Sequence, residues 1–213
     1  MEDLNFAQML CSRLCHDLIT PIGAINSGFE ILQECDDDHQ TLMDLTKSSA
    51  ETAARRLSLY RTAYGYSGVD MSSKFISIQK FIEDFLTPLK ISLKWDDCEQ
   101  CNQNPFLLNE ITIWSKILIN SVLLASESLP YGGEIRLTSH NDKTHFKFSF
   151  DIQGKFVGFR PELLKALQNE LKIEDYTPQV IHGILLLKLL QKLKAKFVIN
   201  LQKDYQFALE ISK

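Results

Sequence analysis

Leu18, Ile22, Ile25, Phe29 and Leu32 recur at spacings of four, three, four and three residues, and Leu14 extends the row backwards. That alternation is the pattern of one face of an amphipathic helix. The polar run from Glu34 to Gln40 predicts its end. A second row follows in Met43, Thr46, Ala50, Ala53, Leu57, Tyr60 and Tyr64. Two long amphipathic helices joined by a short polar loop predict an antiparallel hairpin. A lone hairpin buries only one face of each helix, so the heptad-like spacing predicts pairing with a second copy. The product would be a four-helix bundle across a homodimer.

Gly65 to Ser73, GYSGVDMSS, has the composition of a linker, which divides the chain into a hairpin domain at 1–68 and a second domain at 69–213. Beyond it the pattern changes. FISIQKFIEDFLTPLK predicts a short strand and then a helix, and ISLKW a strand. LNEITIWSKILINSVLLASESL reads as a long, mostly buried helix that stops at PYGG. EIRLTSH and THFKFSFDI alternate apolar and polar residues, as paired antiparallel strands do. Helices follow at PELLKALQNEL and TPQVIHGILLLKLLQKL, then a closing hairpin of KFVINLQ and QFALEIS. The expected class is therefore α+β, a helical hairpin followed by an α/β sandwich.

Composition narrows the function. With 213 residues, 45% hydrophobic and 23% charged, the chain has material for a real core. A net charge of −4 gives no basic field for nucleic acid. No segment reaches the ~18 consecutive apolar residues of a membrane span. The start MEDLNF lacks the basic flank of a signal peptide, so a cytoplasmic location is expected. Five cysteines, an odd number, argue against a disulfide framework.

The candidate chemistry lies in LCHDLITPIGAI, Leu14 to Ile25. Each helical residue advances about 100°, which puts His16 about 200° from Leu18 and outside the apolar row. Its neighbours one turn away are Ser12, Arg13, Ile19 and Thr20, with Gly23 a turn further. A neutral imidazole is a competent nucleophile near physiological pH, and a carboxylate beside it can orient the ring or take its proton. Asp17 is that carboxylate, and Thr20 offers a hydroxyl. Pro21 has no N–H, so the Asp17 carbonyl loses its intrahelical partner and a bend is expected just past the histidine. A nucleophile, its acid/base partner and an orienting group on one short stretch suit a phosphate-accepting histidine.

HDLITP resembles the H-box of sensor histidine kinases. The wider stretch LCSRLCHDLITPIGAINSGFEIL is closer to the ChpT-type histidine phosphotransferases of alphaproteobacterial phosphorelays. Further matches lie in SESLPYGGEIRL, RPELLKAL and TPQVIHGILLL, so the resemblance spans nearly the whole chain. It implies that the second domain is a degenerate, Bergerat-like kinase ATP-binding domain. His16 would take a phosphoryl group from the receiver aspartate of a hybrid kinase (CckA-like) and pass it to response regulators (CtrA-like and CpdR-like). Asp17 would orient the imidazole, Thr20 would line the phosphoryl site, and Arg13 would offset charge. Ser12, Arg13, Ile19 and Gly23 would form the docking face. Mg²⁺ would come from the receiver, leaving this chain without a cofactor or metal of its own.

Kinases of the same layout use an Asn box for Mg²⁺ and glycine loops for adenine and phosphates. Counting back from Gly132-Gly133, the first Asn of the box is Asn120, and the metal-holding position falls on Leu124. Leucine offers no oxygen to Mg²⁺. If Gly154 opens the first loop, the adenine-reading position holds Ile152. Asp151 is one residue off, and in a strand it would face the opposite side. The last loop keeps only Gly183. These losses predict a retained fold without a nucleotide site. An ATP-dependent kinase and a non-catalytic dimeric adaptor stay open as alternatives.

Other features carry less. Cys98 and Cys101 have the spacing of half a zinc site, but no second pair of zinc-finger spacing accompanies them, and nothing brings Cys11 and Cys15 to them. A metal-dependent phosphohydrolase would need further histidines with paired carboxylates. His39, in the predicted loop, His140 and His145 near a strand turn, and His182 on a late helix lack them. LLLKLLQKLKAK is basic and amphipathic. It suits a buried helix with lysines on its wet face better than a membrane-surface helix.

Overall fold

The computed structural model describes residues 2–34, 39–65, 74–96, 98–141, 146–202 and 206–212. It divides into two compact units, Met1–Arg61 and Thr62–Lys213. The first contains α1 (Glu2–Glu34) and most of α2 (His39–Tyr64). Most of the loop between them, and the expected linker beyond Gly65, lie outside the described residues. His39 opens α2 instead of sitting in the loop. α1 runs on through Pro21, which is buried.

The two helices meet closely at Gly28. A Cβ there would lie 2.2 Å from Thr46 Oγ1. Thr46 is buried and its hydroxyl donates to the Leu42 carbonyl at 2.8 Å, so it has little freedom to withdraw. The glycine thus sets how near α1 and α2 approach, a role that the apolar rows alone did not reveal. The rows themselves are only partly covered: Leu14, Leu18, Ile25 and Leu32 are half-buried, whereas Ile22, Phe29, Met43 and Leu57 are exposed.

The second unit is a five-stranded sheet in the order β1-β2-β3-β5-β4. The strands are β1 (Ile91–Lys94), β2 (Gly133–Asn141), β3 (Phe146–Gln153), β4 (Lys196–Gln202) and β5 (Gln206–Ser212). β1 and β2 are parallel and every other pair is antiparallel. One face of the sheet is apolar, through Ile135 and Leu137 of β2 and Phe146, Phe148, Phe150 and Ile152 of β3; the alternate residues are polar and wetter.

The helices of this unit are α3 (Phe75–Leu86), α4 (Cys98–Cys101), α5 (Pro105–Asn109), α6 (Ile111–Glu127), α7 (Pro161–Leu167) and α8 (Ile181–Leu193). α6 is buried on nearly every side from Trp114 to Ser126, as its almost unbroken apolar sequence requires. Trp114 packs edge-on against Phe148, with ring centroids 5.6 Å apart, and Phe75 and Trp95 extend the aromatic cluster. This is the α+β class expected from the pattern.

Several boundaries differ from those the pattern predicts. FISI forms no strand, because Phe75, Ile78, Ile82 and Leu86 are the buried face of one continuous helix. Their spacing of three, four and four overrides the strand preference of Phe and Ile. The helix expected from Leu108 is two helices, α5 and α6, separated at Glu110. PELLKALQNEL stops as a helix at Leu167, and Asn169 takes a left-handed conformation (φ 58°), which asparagine tolerates after a helix end. At PYGG the turn is as expected. Gly132 has φ 80°, and a Cβ there would lie 2.4 Å from the Lys90 carbonyl oxygen.

Gly28→Ala forces the α1–α2 contact apart, and we expect it to lower the stability of the hairpin by about 1–3 kcal/mol. Chemical denaturation monitored by circular dichroism measures this; an unchanged midpoint would show that the crossing adjusts freely.

Candidate functional site

Arg13, Asp17 and Pro21 follow one another at four-residue spacing on α1, and Arg56 and Tyr60 do so on α2. Residues so spaced share a helix face. The hairpin brings the two sets together around Asp17. Its Oδ2 accepts from Arg13 Nε at 2.7 Å and from the Tyr60 hydroxyl, while Oδ1 lies 3.1 Å from His16 Nδ1. The Asp17 side chain is only 13% exposed, and that of His16 is 76% exposed.

These contacts set the protonation state. Burial pushes the Asp17 pKa up, but the hydrogen bonds from Tyr60 and His16 and the Arg13 charge outweigh it. The result lies below the ordinary 3.8. Tyr60 moves the other way: burial, the hydrogen bond to Asp17 and the Asp17 charge all raise its pKa, so the phenol keeps its proton. An ionised carboxylate only accepts hydrogen bonds, so His16 Nδ1 must carry the hydrogen and donate it. The lone pair is then on Nε2, on the solvent side of the ring. The arrangement is that of a nucleophile aimed outward with its counter-charge held behind it.

Pro21 explains a further contact. It offers no N–H to the Asp17 carbonyl, and Arg56 Nη1 donates to that carbonyl at 2.5 Å instead. The orphaned acceptor is satisfied from the neighbouring helix.

The residues expected around the histidine are found as follows. Ser12, Ile19, Thr20 and Gly23 are all exposed on α1; Ile19 is 69% exposed and the space beside Gly23 is open. Arg13 turns inward and pairs with Asp17. His16, Asp17 and Arg13 are therefore one cluster, and Ser12, Ile19, Thr20 and Gly23 make an accessible surface near it. Spacing along the chain does not reveal Tyr60 and Arg56, which lie 43 and 39 residues from Asp17. Tyr60 falls in the apolar row of α2, and a hydrophobic pattern does not register its hydroxyl. The missing N–H of Pro21 was the one signal that a donor from elsewhere was required.

In the second unit, Asn120 is fully buried and donates to the carbonyls of Lys116 (2.8 Å) and Ala63 (3.4 Å). Leu124 and Ile152 are buried core residues, and Asp151 lies on the other face of β3. Gly183 serves packing: a Cβ there would lie 2.9 Å from Leu163 and 3.3 Å from Leu167, on α7. His182 is buried beside Glu127, 3.3 Å from its carboxylate. His140 is in β2, and His145 lies outside the described residues. Cys98 and Cys101 are buried on α4, whereas Cys11 and Cys15 are exposed on α1. Among the described residues, no group of three or more His, Cys, Asp or Glu side chains could hold a metal ion. Nor is any helix among them long and apolar enough to cross a membrane.

An outward histidine on a helical hairpin, followed by an α/β unit, is the layout of the phosphotransferases to which this chain is similar. The chain belongs to the histidine phosphotransferase family: the model of the histidine phosphotransferase C-terminal domain matches residues 75–205. It is 30% identical over 190 residues to the protein phosphotransferase ChpT of Brucella abortus (strain 2308), covering 87% of each chain. A solved bacterial phosphotransferase superposes with a TM-score of 0.79 at 25% identity, over 98% of this chain and 96% of that one. The histidine kinase ThkA, solved in complex with the response regulator TrrA, shares the fold at 16% identity. Its TM-score is 0.58, over 99% of this chain and 62% of that one.

Two outcomes follow from the cluster. Arg56→Ala strands the Asp17 carbonyl and should cost about 1–3 kcal/mol. The loss should shrink in a Pro21→Ala background, where residue 21 again offers an N–H; a double-mutant cycle by denaturation measures the coupling. Because Asp17 has a depressed pKa when folded, its contribution is complete above its unfolded value and disappears as pH falls through the folded one. The stability difference between wild type and Asp17→Asn should therefore shrink below about pH 4. Denaturation at stepped pH checks this, and a constant difference would contradict it.

Proposed function

We propose that this chain relays phosphoryl groups between receiver domains of a phosphorelay through His16. The observation that carries the reading is the exposed His16 ring, with Nδ1 on the ionised Asp17 and Nε2 turned to solvent. Nε2 attacks the phosphorus of a receiver's aspartyl phosphate. The N–P bond forms as the P–O bond to the carboxylate breaks, and the receiver's aspartate leaves as a free carboxylate. As the bond forms, the ring gains positive charge, and Asp17 lies where it offsets that charge. Reversal of the step on a second receiver's aspartate delivers the group onward and restores the imidazole. Such transfers depend on positioning and charge neutralisation, and the Mg²⁺ they use belongs to the receiver.

Ser12, Ile19 and Gly23 form the docking face beside the histidine, and Thr20 lines the phosphoryl position. Arg13 contributes by holding Asp17 ionised. The donor is the receiver of a hybrid kinase of the CckA-like kind, and the acceptors are CtrA-like and CpdR-like regulators. The exposed apolar residues Ile22, Phe29, Met43, Leu45 and Leu57 support a homodimer in which a second hairpin covers them. The burial of Leu124 and Ile152 at the positions of the nucleotide boxes supports a chain that does not draw its phosphate from ATP. We place the exchange in the cytoplasm.

A label-transfer assay tests the reading. The full chain is mixed with ATP, or with a receiver domain carrying labelled phosphate, alongside His16→Ala. Acid-labile label should arrive from the receiver alone and be absent in the variant. Label from ATP would make the chain a kinase. A wild-type chain that accepts none from a competent receiver would leave an adaptor.

A further inference from the structure

We propose that Tyr60 is a positioning residue for phosphoryl transfer, its hydroxyl reaching across from α2 to hold the Asp17 carboxylate against Nδ1 of His16. This rests on the phosphorelay reading of His16.

The argument begins with how the two carboxylate oxygens are shared. Oδ2 takes Arg13 and Tyr60, which leaves Oδ1 for the imidazole. Arg13 is on α1 itself, four residues before Asp17, and belongs to the same face of the same helix. Tyr60 is 43 residues distant in sequence and reaches the carboxylate only because the hairpin closes. Arg56, one turn before it, holds the Asp17 backbone carbonyl. α2 therefore grips the side chain and the main chain of the same residue.

Tyr60 suits the task. It is only 3% exposed, so its ring is fixed by the packing around it and its hydroxyl has a defined position. Its proton stays on the phenol, so toward Asp17 it acts as a donor. Two donors on Oδ2 make Asp17 a weak base. The proton on His16 Nδ1 therefore remains on the ring when Nε2 takes the phosphoryl group. A protonated phosphoimidazole is a better leaving group than a neutral one, since the ring departs as a neutral imidazole when the N–P bond breaks. Tyr60 thus acts on both halves of the relay through one carboxylate: it holds the acceptor tautomer for the first transfer and keeps the ring protonated for the second.

A buried tyrosine needs some partner for its hydroxyl, and a purely architectural contact would satisfy that need as well. The two roles separate experimentally. Tyr60→Phe, Asp17→Asn and the double variant are prepared in the full chain, and their folding is checked by thermal melting. Transfer from a receiver domain loaded with labelled phosphate is timed across pH. In parallel, ¹⁵N NMR of the imidazole reports the fraction of His16 carrying its hydrogen on Nδ1. We expect Tyr60→Phe to slow transfer by about tenfold or more, the scale of a hydrogen bond to a charged group. The acid limb of its pH profile should move upward as Asp17 becomes more basic, and the Nδ1–H fraction should fall.

In the Asp17→Asn background the same substitution should change the rate by less than about twofold, because its route to the histidine is already gone. An unchanged rate and tautomer in Tyr60→Phe would overturn the proposal. So would an equal loss with and without the Asp17 carboxylate. If Tyr60→Phe does not hold the hairpin, 3-fluorotyrosine at position 60 keeps the shape and changes the acidity of the phenol; a pH profile and tautomer that do not respond would again overturn it. A wild-type chain that accepts no label would remove the phosphorelay reading, while the tautomer measurement would still decide whether Tyr60 positions His16.

Discussion

The carboxylate of Asp17 is the point through which the rest of the hairpin's chemistry runs. It has to be ionised to fix the tautomer of His16, and burial works against ionisation. Arg13, Tyr60 and His16 together reverse that tendency. Each does so from a place dictated by helical geometry: Arg13 one turn back, His16 adjacent, and Tyr60 across the hairpin. Three donors converge on the two oxygens and hold the charge between the helices. The same convergence leaves the His16 ring facing outward, 76% exposed beside a carboxylate that is 13% exposed.

The second unit has another logic. Its positions that would correspond to nucleotide contacts are occupied by core residues: Leu124 lies inside α6 and Ile152 on the buried face of β3. The glycines there have packing reasons of their own. Gly183 lets α7 approach α8, and at Gly154 an added Cβ would lie 2.6 Å from the side chain of Leu129. A glycine at such a position is therefore weak testimony about a ligand, since close approach of protein to protein selects it as readily as close approach to a phosphate.

Much of this was legible in the order of residues. The 3-and-4 spacing gave the hairpin, alternation gave β2 and β3, and the nearly unbroken apolar run gave α6. What failed was local preference where it conflicted with periodicity. Phe75 to Ile78 has strand-forming side chains, yet belongs to a helix whose buried face continues through Leu86. At the site, His16, Asp17 and Arg13 were readable because they sit within five residues of one another. Tyr60 and Arg56 were not, because their relation to Asp17 exists only once α2 lies against α1. Tyr60 has two natures, an apolar ring and a polar tip, and a pattern of hydrophobic positions registers only the first.

Pro21 leaves a hole in the hydrogen-bond ladder of α1 that only the other helix fills. The first helix is thus not self-sufficient at the very turn that carries the histidine. A nascent chain that has emerged as far as residue 34 holds His16 and Asp17 but neither of the α2 groups that brace the carboxylate. The cluster is completed only by residues 56 and 60. Until α2 lies against α1, Asp17 lacks both the hydroxyl on its side chain and the donor to its main-chain carbonyl, so the order of the cluster is a property of the closed hairpin and not of the first helix.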